Sequence, residues 1–449
     1  MKAQTLTQVM TLVIAFGGAL ACSSGGSIAP GPGGGGGYGT GGAGGSHDAG
    51  GSAGAGATGG AGGAGGLSGC AALDFQRFDA AVDSFVAAKG LQGASGVVVH
   101  RDCGVVHAHG YGSYPVDRIY LVGSASKVVT VGVLMRLAEA GTLDLDAPLG
   151  RYLSAWQPNG KPELELAQLV SNSSGLVGLV DNPLYRPYAC QYRDAGTLTD
   201  CARAIFTADD AATRVPPDTA FHYGGGQWQL AGGIAELVSG KRWADLVTET
   251  YRGPCGILSF GYTNQFAKAA QSGSGLGGAL TYPSFFEGNL ATLPATDNPS
   301  VEGGLYTTVG DYGKILLMHL RGGVCDGGRV LSQASVARMQ VDRILETYGG
   351  STSGQTGRTA GGHGGAGGGL DGYGMGWWVD RAHPGIFADP GLYGAFPWID
   401  VPRGYGAMVA IEADGDVGAE LWAGVKPVLD QAFDAAGLPD GIGRCPPIT

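Results

Sequence analysis

The stretch that decides the fold is Val122-Gly123-Ser124-Ala125-Ser126-Lys127, followed by a largely apolar run, residues 128–140, that Gly141 ends. The first two turns of this run carry no charge on any side, which is typical of a helix buried in the middle of a protein. The sequence therefore predicts that Ser124 lies at the N-terminus of a core helix. Lys127 follows one turn later on the same helix face.

A serine and a lysine placed in this way have the chemistry of acyl transfer. A hydroxyl is a poor nucleophile at neutral pH unless a base takes its proton, and a partly desolvated lysine can have its pKa lowered enough to do so. The helix N-terminus stabilises negative charge beside Ser124, so the Ser124 N–H is expected to form half of an oxyanion hole. The alternative is a polar pair without a chemical role, but only Lys127 among the lysines has a serine three residues before it.

Upstream of this stretch, the pattern changes between helix and strand. Apolar residues recur at helical spacing from Phe75 to Val86, and Lys89-Gly90 provides a helix stop. Two β-rich runs follow, residues 96–100 and 105–109, with Asp and Gly between them where a tight turn needs them. The sequence thus predicts a helix and an antiparallel hairpin, and then a short strand, residues 119–123, that leads into the buried helix.

Composition separates a folded region from a tether. The chain contains 449 residues with 87 Gly, and glycine is concentrated in residues 23–69, which are too poor in large apolar residues to fold. Residues 70–449 have the composition of a globular domain and are long enough to bury a sizeable core. The formal net charge of −11 argues against nucleic acid as a partner, because such binding rests on clustered Lys and Arg.

Residues 1–22 have the features of an export signal: Lys2, an apolar run over residues 9–16, and small residues before Cys22. The apolar run is too short to span a bilayer. Ala19-Leu20-Ala21-Cys22 resembles the bacterial lipobox, in which the cysteine is lipidated; the alternative is an ordinary cleaved signal. We expect an exported protein whose membrane contact is a lipid anchor at Cys22, in the outer membrane and facing the periplasm or the cell surface.

Cysteine usage agrees with export. Besides Cys22 there are seven cysteines, and none forms a C-x-x-C pair that would suggest zinc or a redox site. Cys190 and Cys201 are predicted to form a disulfide that closes a short loop, Cys255 with Cys325 is a weaker expectation, and the odd number leaves one cysteine unpaired. No histidine shows metal-ligand spacing, so neither a metal nor another cofactor is expected.

The sequence around Ser124 is similar to the active-site helix and following turn of class C β-lactamases, penicillin-binding D,D-peptidases and related esterases. The resemblance covers roughly residues 75–435 and includes an S-G-L segment, a second motif and a late helix start, at residues 166–176, 221–225 and 303–312. It implies an α+β fold, in which an antiparallel sheet flanked by helices and a mainly helical lobe enclose the site in a cleft.

The second motif of that family is Y-x-N, and Tyr223 matches its tyrosine. The resemblance implies that the Tyr223 oxygen works with Lys127 to move protons, whereas the alternative is an ordinary core tyrosine. Gly225 occupies the position of the asparagine, whose side chain hydrogen-bonds a substrate amide in the family. This departure weakens the case for a peptide-like or β-lactam substrate.

The third motif, K-T-G or H-x-G, is best matched by Asp389-Pro390-Gly391, with Leu392 directly after it. The cation that holds a substrate carboxylate in the family is absent here, and an ionised Asp389 is expected to repel one. The Leu392 N–H is expected to complete the oxyanion hole, since a backbone donor does not depend on the side chain.

The sequence therefore predicts an exported serine hydrolase that forms an acyl-enzyme at Ser124. It favours esterase-like activity on small, neutral ester or amide substrates. The alternatives are a β-lactamase or D,D-peptidase acting on a cell-wall-derived substrate and, from another class, a non-catalytic lipoprotein that binds cell-wall peptide. A binding module has no need of a base beside a serine, which argues against the last alternative.

Overall fold

The computed structural model describes residues 70–156, 161–178, 186–193, 195–264, 282, 286, 288–289, 293, 296–352 and 370–438. The predicted signal segment, Cys22, the glycine-rich segment and Cys445 lie outside these residues. Within the described part of the chain, none of the helices combines the length and the apolar character needed to cross a membrane.

The larger sheet is antiparallel and has seven strands in the order β2-β1-β12-β11-β10-β9-β8. A second sheet has the order β3-β5-β4, and β6 pairs with β7. The strands are β1 (Gly93–His100), β2 (Gly104–Gly112), β3 (Ile119–Leu121), β4 (Phe260–Tyr262), β5 (Leu305–Thr308), β6 (Val324–Cys325), β7 (Gly328–Arg329), β8 (Gly372–Tyr373), β9 (Trp378–Val379), β10 (Ile386–Ala388), β11 (Ala395–Asp400) and β12 (Tyr405–Ile411).

Helices cover the larger sheet and form a separate, mainly helical region. They are α1 (Gln76–Lys89), α2 (Lys127–Glu139), α3 (Gly150–Leu153), α4 (Leu166–Val170), α5 (Leu198–Phe206), α6 (Gly226–Ser239), α7 (Trp243–Val247), α8 (Gly253–Cys255), α9 (Val309–Leu320), α10 (Gln333–Gln340), α11 (Arg343–Tyr348) and α12 (Gly415–Ala436). Short 3₁₀ segments, Gly123–Ser126 and Arg186–Tyr192, and a π-helical segment, Thr248–Arg252, complete the helical structure.

Strand β1 is buried over its whole length because β2 and β12 flank it and helices cover both of its faces. Val97 and Val99 face α9, where a Cβ added to Gly313 would lie 3.1 Å from Val97. Val98 points to the opposite face and packs in a cluster with Phe78 of α1. This alternation is that of a strand with two buried faces, and it fixes the register of the sheet.

Helix α2 is the centre of the helical region. Every residue from Lys127 to Met135 is buried, in agreement with the uncharged first turns of the sequence. The Tyr251 hydroxyl donates to the Val129 carbonyl at 2.8 Å and lies so close to Gly132 that an added Cβ would be 1.9 Å away. The predicted first helix and hairpin correspond to α1, β1 and β2.

Three disulfides are present in the described residues. Cys190 is bonded to Cys201 and Cys255 to Cys325, the two pairs that the sequence favours. The third, Cys70–Cys103, was not anticipated; it joins the segment that precedes α1 to the turn between β1 and β2. Its members are close only because α1 packs against the hairpin, which spacing along the chain does not reveal.

Candidate active site

Ser124 lies in the 3₁₀ turn between β3 and α2 and is partly exposed, whereas its neighbours in the turn are buried. The turn is held from inside by Ser126, whose hydroxyl donates to the Gly123 carbonyl at 2.6 Å and accepts from the Leu305 N–H at 3.0 Å. The Val122 N–H donates to the Leu305 carbonyl at 3.0 Å. Strand β5 thereby fixes the backbone that presents Ser124 to solvent.

The Leu392 amide comes close to this turn. Gly123 has a φ of 56°, and a Cβ there would lie 2.8 Å from the Leu392 nitrogen. Gly391 packs as tightly, since its Cβ would lie 1.9 Å from the Val122 carbonyl oxygen. Among the described residues, neither the Ser124 N–H nor the Leu392 N–H is donated to a protein acceptor. Two backbone donors are therefore available beside the Ser124 side chain, as an oxyanion hole requires.

Tyr223 contacts Ser124 directly. Its hydroxyl donates to Ser124 Oγ at 2.8 Å, and its ring is buried, 5.7 Å from the ring of Trp378. Burial raises the pKa of Tyr223, while the positive charge of Lys127 lowers it by less. The phenol is therefore neutral in the resting site and can donate or accept a proton at Ser124.

The loop that carries Tyr223 is held by the S-G-L segment and by α6. The Gln227 side chain donates to the His222 carbonyl at 2.7 Å and to Asn172 Oδ1 at 2.9 Å. The backbone of Asn172, at a φ of 55°, accepts from the His222 N–H at 2.8 Å. Ser174 Oγ donates to Gln227 Oε1 at 2.6 Å. The segment resembling the family's S-G-L motif thus positions Tyr223 rather than contacting Ser124.

Lys127 is completely buried, one helical turn after Ser124. Its Nζ lies 3.2 Å from Glu302 Oε2 and donates to the Glu302 carbonyl at 3.2 Å. Nζ also lies 4.7 Å from the centre of the Tyr223 ring. Burial by itself lowers the pKa of Lys127, but Tyr223, Glu302 and Asp389 raise it by more. The expectation of a lowered pKa of Lys127 is therefore wrong for the resting site, because it took no account of the Tyr223, Glu302 and Asp389 side chains around the lysine.

Glu302 is the site residue that the sequence analysis missed. It precedes β5 and is buried, with its side chain directed at Lys127 and at Gly225. A Cβ added to Gly225 would lie 2.0 Å from Glu302 Oε1 and 2.4 Å from Gln191 Oε1. The only available signal was a carboxylate just before the Gly303-Gly304 pair, and nothing in its spacing links it to Lys127.

Asp389 lies beneath the start of α2. Its Oδ2 accepts from the Val128 N–H at 3.2 Å, and the side chain is fully buried. Burial raises the pKa of the Asp389 carboxyl well above its usual range, although Lys127 lowers it in part. The side chain therefore contacts the N-terminus of the helix that follows Ser124. The structure does not support the expected direct repulsion of a substrate carboxylate by an ionised Asp389.

The structure brings Ser124, Lys127, Tyr223 and Leu392 together. Gly225 lies two residues after Tyr223 in the chain, and Asp389 and Gly391 pack against the backbone after and before Ser124. No group of three or more metal-binding side chains occurs in the residues that the structure describes. The arrangement combines an accessible hydroxyl, two proton-carrying neighbours and two free amides. These are the components that acyl transfer to a serine needs.

The fold and this set of groups define a hydrolase of the β-lactamase/transpeptidase class. Residues 78–426 match the beta-lactamase family profile, and the chain therefore belongs to the beta-lactamase family, as the sequence motifs predicted. Penicillin-binding protein 4 of Amycolatopsis lactamdurans is 29% identical over 339 residues, which are 73% of this chain and 78% of that protein.

Two solved structures confirm the predicted fold. The octameric penicillin-binding protein homologue from Pyrococcus abyssi superposes with a TM-score of 0.58 at 21% identity, over 80% of this chain and 78% of its own. EstCE1, described as a hydrolase with promiscuous acyltransferase activity, gives a TM-score of 0.59 at 18% identity, over 82% of this chain and 98% of its own.

Proposed function

We propose that the protein is an exported serine hydrolase that forms an acyl-enzyme at Ser124 and acts on neutral ester or amide substrates with esterase-like preference. The observation that carries the proposal is the hydrogen bond of 2.8 Å from Tyr223 to the partly exposed Ser124. A buried tyrosine donates to this serine, and a buried lysine lies beside the ring of that tyrosine. They are what a nucleophile without a histidine needs.

In acylation, Ser124 Oγ attacks the substrate carbonyl while its proton passes to Lys127 in its neutral form, directly or through the Tyr223 hydroxyl. The Ser124 and Leu392 amides stabilise the oxyanion that forms. Tyr223 then gives a proton to the leaving alcohol or amine. In deacylation the same groups take a proton from the water that attacks the acyl carbon, and they return a proton to Ser124 Oγ as its bond to the acyl carbon breaks.

The preference for neutral substrates rests on two features of the site. The asparagine that binds an amide in related enzymes is replaced by Gly225, and the cation of the third motif is replaced by the buried Asp389. Beside Leu392 lies a cluster of apolar and aromatic side chains that includes Phe286 and Tyr393. The members of this cluster are buried, and they bring no charge to the side of the site that holds Leu392.

A second candidate is D,D-peptidase or β-lactamase activity, with cell-wall peptide or a β-lactam as the substrate. It is favoured by the 29% identity with Penicillin-binding protein 4 over most of both chains. The substituted second and third motifs speak against efficient turnover of such substrates, because their amide and carboxylate groups lack partners here.

Export and lipid anchoring are part of the proposal. The apolar segment before Cys22 and the disulfides of the folded part both support them, because disulfides persist outside the reducing cytoplasm. Metabolic labelling with a palmitate analogue tests the anchor. Label is expected in the wild type and not in Cys22→Ala; equal labelling of both would refute lipidation at this residue.

The activity is tested with short-chain p-nitrophenyl esters and a chromogenic cephalosporin, for the wild type, Ser124→Ala and Lys127→Ala. Ser154→Ala, at an exposed serine after α3, is the matched control. Ester turnover and fluorophosphonate labelling are expected in the wild type and the control only, with little cephalosporin turnover. Equal behaviour of all four proteins would refute the proposal and favour a binding role, whereas turnover of the cephalosporin above the esters would favour the second candidate.

A further inference from the structure

Gly225 is a glycine because its side-chain space is occupied, not because its backbone requires one. Its φ of −79° and ψ of −20° are helical values that any residue adopts. A Cβ at this position would lie 2.0 Å from Glu302 Oε1 and 2.3 Å from Glu302 Cδ. The carboxylate of Glu302 therefore fills the place where related enzymes carry the side chain of their asparagine.

Glu302 is held firmly in this place by the segment before β5. The Val301 N–H donates to Gln229 Oε1 at 2.9 Å, and the Val301 carbonyl accepts from Thr130 Oγ1 at 2.7 Å. These bonds join the backbone next to Glu302 to α6 and to α2. Its carboxylate is consequently presented to Lys127 by a fixed backbone, not by a mobile loop.

Lys127 receives two acceptors from this one residue, the carboxylate and the carbonyl, each at 3.2 Å from Nζ. The other groups that face Lys127 are Tyr223, from the loop before α6, and Asp389, from the end of β10. Asp389 is already bonded to the Val128 N–H. Among the described residues, Glu302 is the carboxylate that lies within ion-pair distance of Lys127 Nζ, at 3.2 Å.

We infer that Glu302, together with Gly225, replaces the asparagine of the second motif and is the positioning residue that holds Lys127 for proton transfer. This inference rests on the proposed function for its catalytic part. When Ser124 attacks, its O–H bond breaks and an N–H bond forms on Lys127, and the carboxylate of Glu302 stabilises the resulting ammonium. The same carboxylate makes the lysine harder to deprotonate before the reaction, so it sets the pH at which the base becomes active.

The first test is a pH profile of kcat/KM for ester hydrolysis by the full chain. Glu302→Gln keeps the shape of the side chain and removes its charge. This variant is expected to shift the acid limb of the profile to lower pH by about 1 to 3 units, the usual effect of a paired charge on a pKa. Glu302→Asp, which keeps the charge, should leave the limb within a few tenths of a unit of the wild type. Glu346→Gln, at an exposed glutamate of α11, is the control. An unmoved limb in Glu302→Gln would overturn the inference.

The second test is a pair of substitutions that exchanges the two residues. Gly225→Asn alone forces its side chain against Glu302 and is expected to lower kcat/KM by about 100-fold, as a displacement of about 1 Å can do. Adding Glu302→Ala makes room when all variants are compared in a Gln191→Ala background, which removes the second contact of the added Cβ, at 2.4 Å. In that background the double variant should recover at least tenfold over Gly225→Asn. A double variant no better than Gly225→Asn would overturn the inference. Gly424→Asn, at an exposed glycine of α12 with open space around it, is the control.

Thermal unfolding of the same variants separates this inference from the proposed function. Gly225→Asn should lower Tm, and the double variant should regain part of the loss, whether or not the protein is an esterase. If the wild type shows no turnover that depends on Ser124, the proposed function fails and the Tm pattern alone decides. Recovery of Tm then supports the replacement of the asparagine by Glu302, and no recovery refutes it.

Discussion

Tyr223→Phe is the most direct perturbation of the site, because it removes one atom. The ring stays packed against Trp378, and only the hydroxyl that donates to Ser124 Oγ at 2.8 Å is lost. If this hydroxyl transfers protons in both half-reactions, kcat falls by about 10² to 10⁴, the usual contribution of a general acid or base. That corresponds to about 3 to 5 kcal/mol in the activation free energy.

Folding stability should change far less than activity in this variant. One neutral hydrogen bond contributes about 0.5 to 1.5 kcal/mol to stability, and the packing of the ring is unchanged. The assay is single-turnover and steady-state hydrolysis of a p-nitrophenyl ester, with urea unfolding in parallel. Acylation and deacylation rates are both expected to drop while KM for the ester stays within a few fold. A kcat within tenfold of the wild type would refute the role of Tyr223 in proton transfer.

Three further predictions concern pH and stability. First, kcat/KM for esters should still be rising above about pH 9, because the pKa of Lys127 lies above the ordinary lysine value of about 10.4; a plateau at neutral pH would contradict Lys127 as the base. Second, Lys161→Met should lower the free energy of unfolding in urea by about 1.5 to 3 kcal/mol, the usual worth of a charged hydrogen-bonding group, since it removes one of the two cations that pair with the buried Asp210, Lys161 at 3.1 Å and Arg214 at 2.9 Å; an unchanged free energy of unfolding would contradict this. Third, burial lowers the pKa of His319 to about 3, so the unfolded chain binds a proton more readily and stability falls as pH drops from about 6.5 towards 3. His319→Leu should remove at most about 5 kcal/mol of this loss and shift acid unfolding to lower pH, and an unchanged acid midpoint would exclude the effect.

The sequence predicted those elements of the fold that produce a recognisable pattern of apolar and charged residues along a short stretch of chain. The uncharged turns after Lys127 predicted a fully buried helix, and alternating apolar runs predicted the first hairpin. Burial on all sides of a helix, or on alternate sides of a strand, can be recognised from the order of apolar residues in the chain. The boundaries differed by a few residues. Strand β1 begins at Gly93 rather than at residue 96, since the ladder with β12 extends it beyond the valine run.

The disulfide between Cys70 and Cys103 shows what spacing cannot predict. The two residues are 33 apart, and their Cα atoms lie 5.9 Å from each other only because α1 packs across the hairpin. The short-range pair Cys190–Cys201 could be proposed because a separation of 11 residues restricts the alternatives. Long-range pairing depends on packing, which the order of residues along the chain does not contain.

The sequence by itself determined the proposed nucleophile and its first partner, because Ser124 and Lys127 are three residues apart where a 3₁₀ turn leads into α2, and a helical turn of either kind brings such residues to one side. It also identified Tyr223 and Leu392 as residues to examine, through their motifs. Only the tertiary structure decided that the Tyr223 hydroxyl reaches Ser124 and that Glu302 pairs with Lys127, 175 residues away along the chain. Because the pKa of a buried lysine depends on every charge within a few ångströms, the resting protonation state of this site was decided by packing and not by any motif.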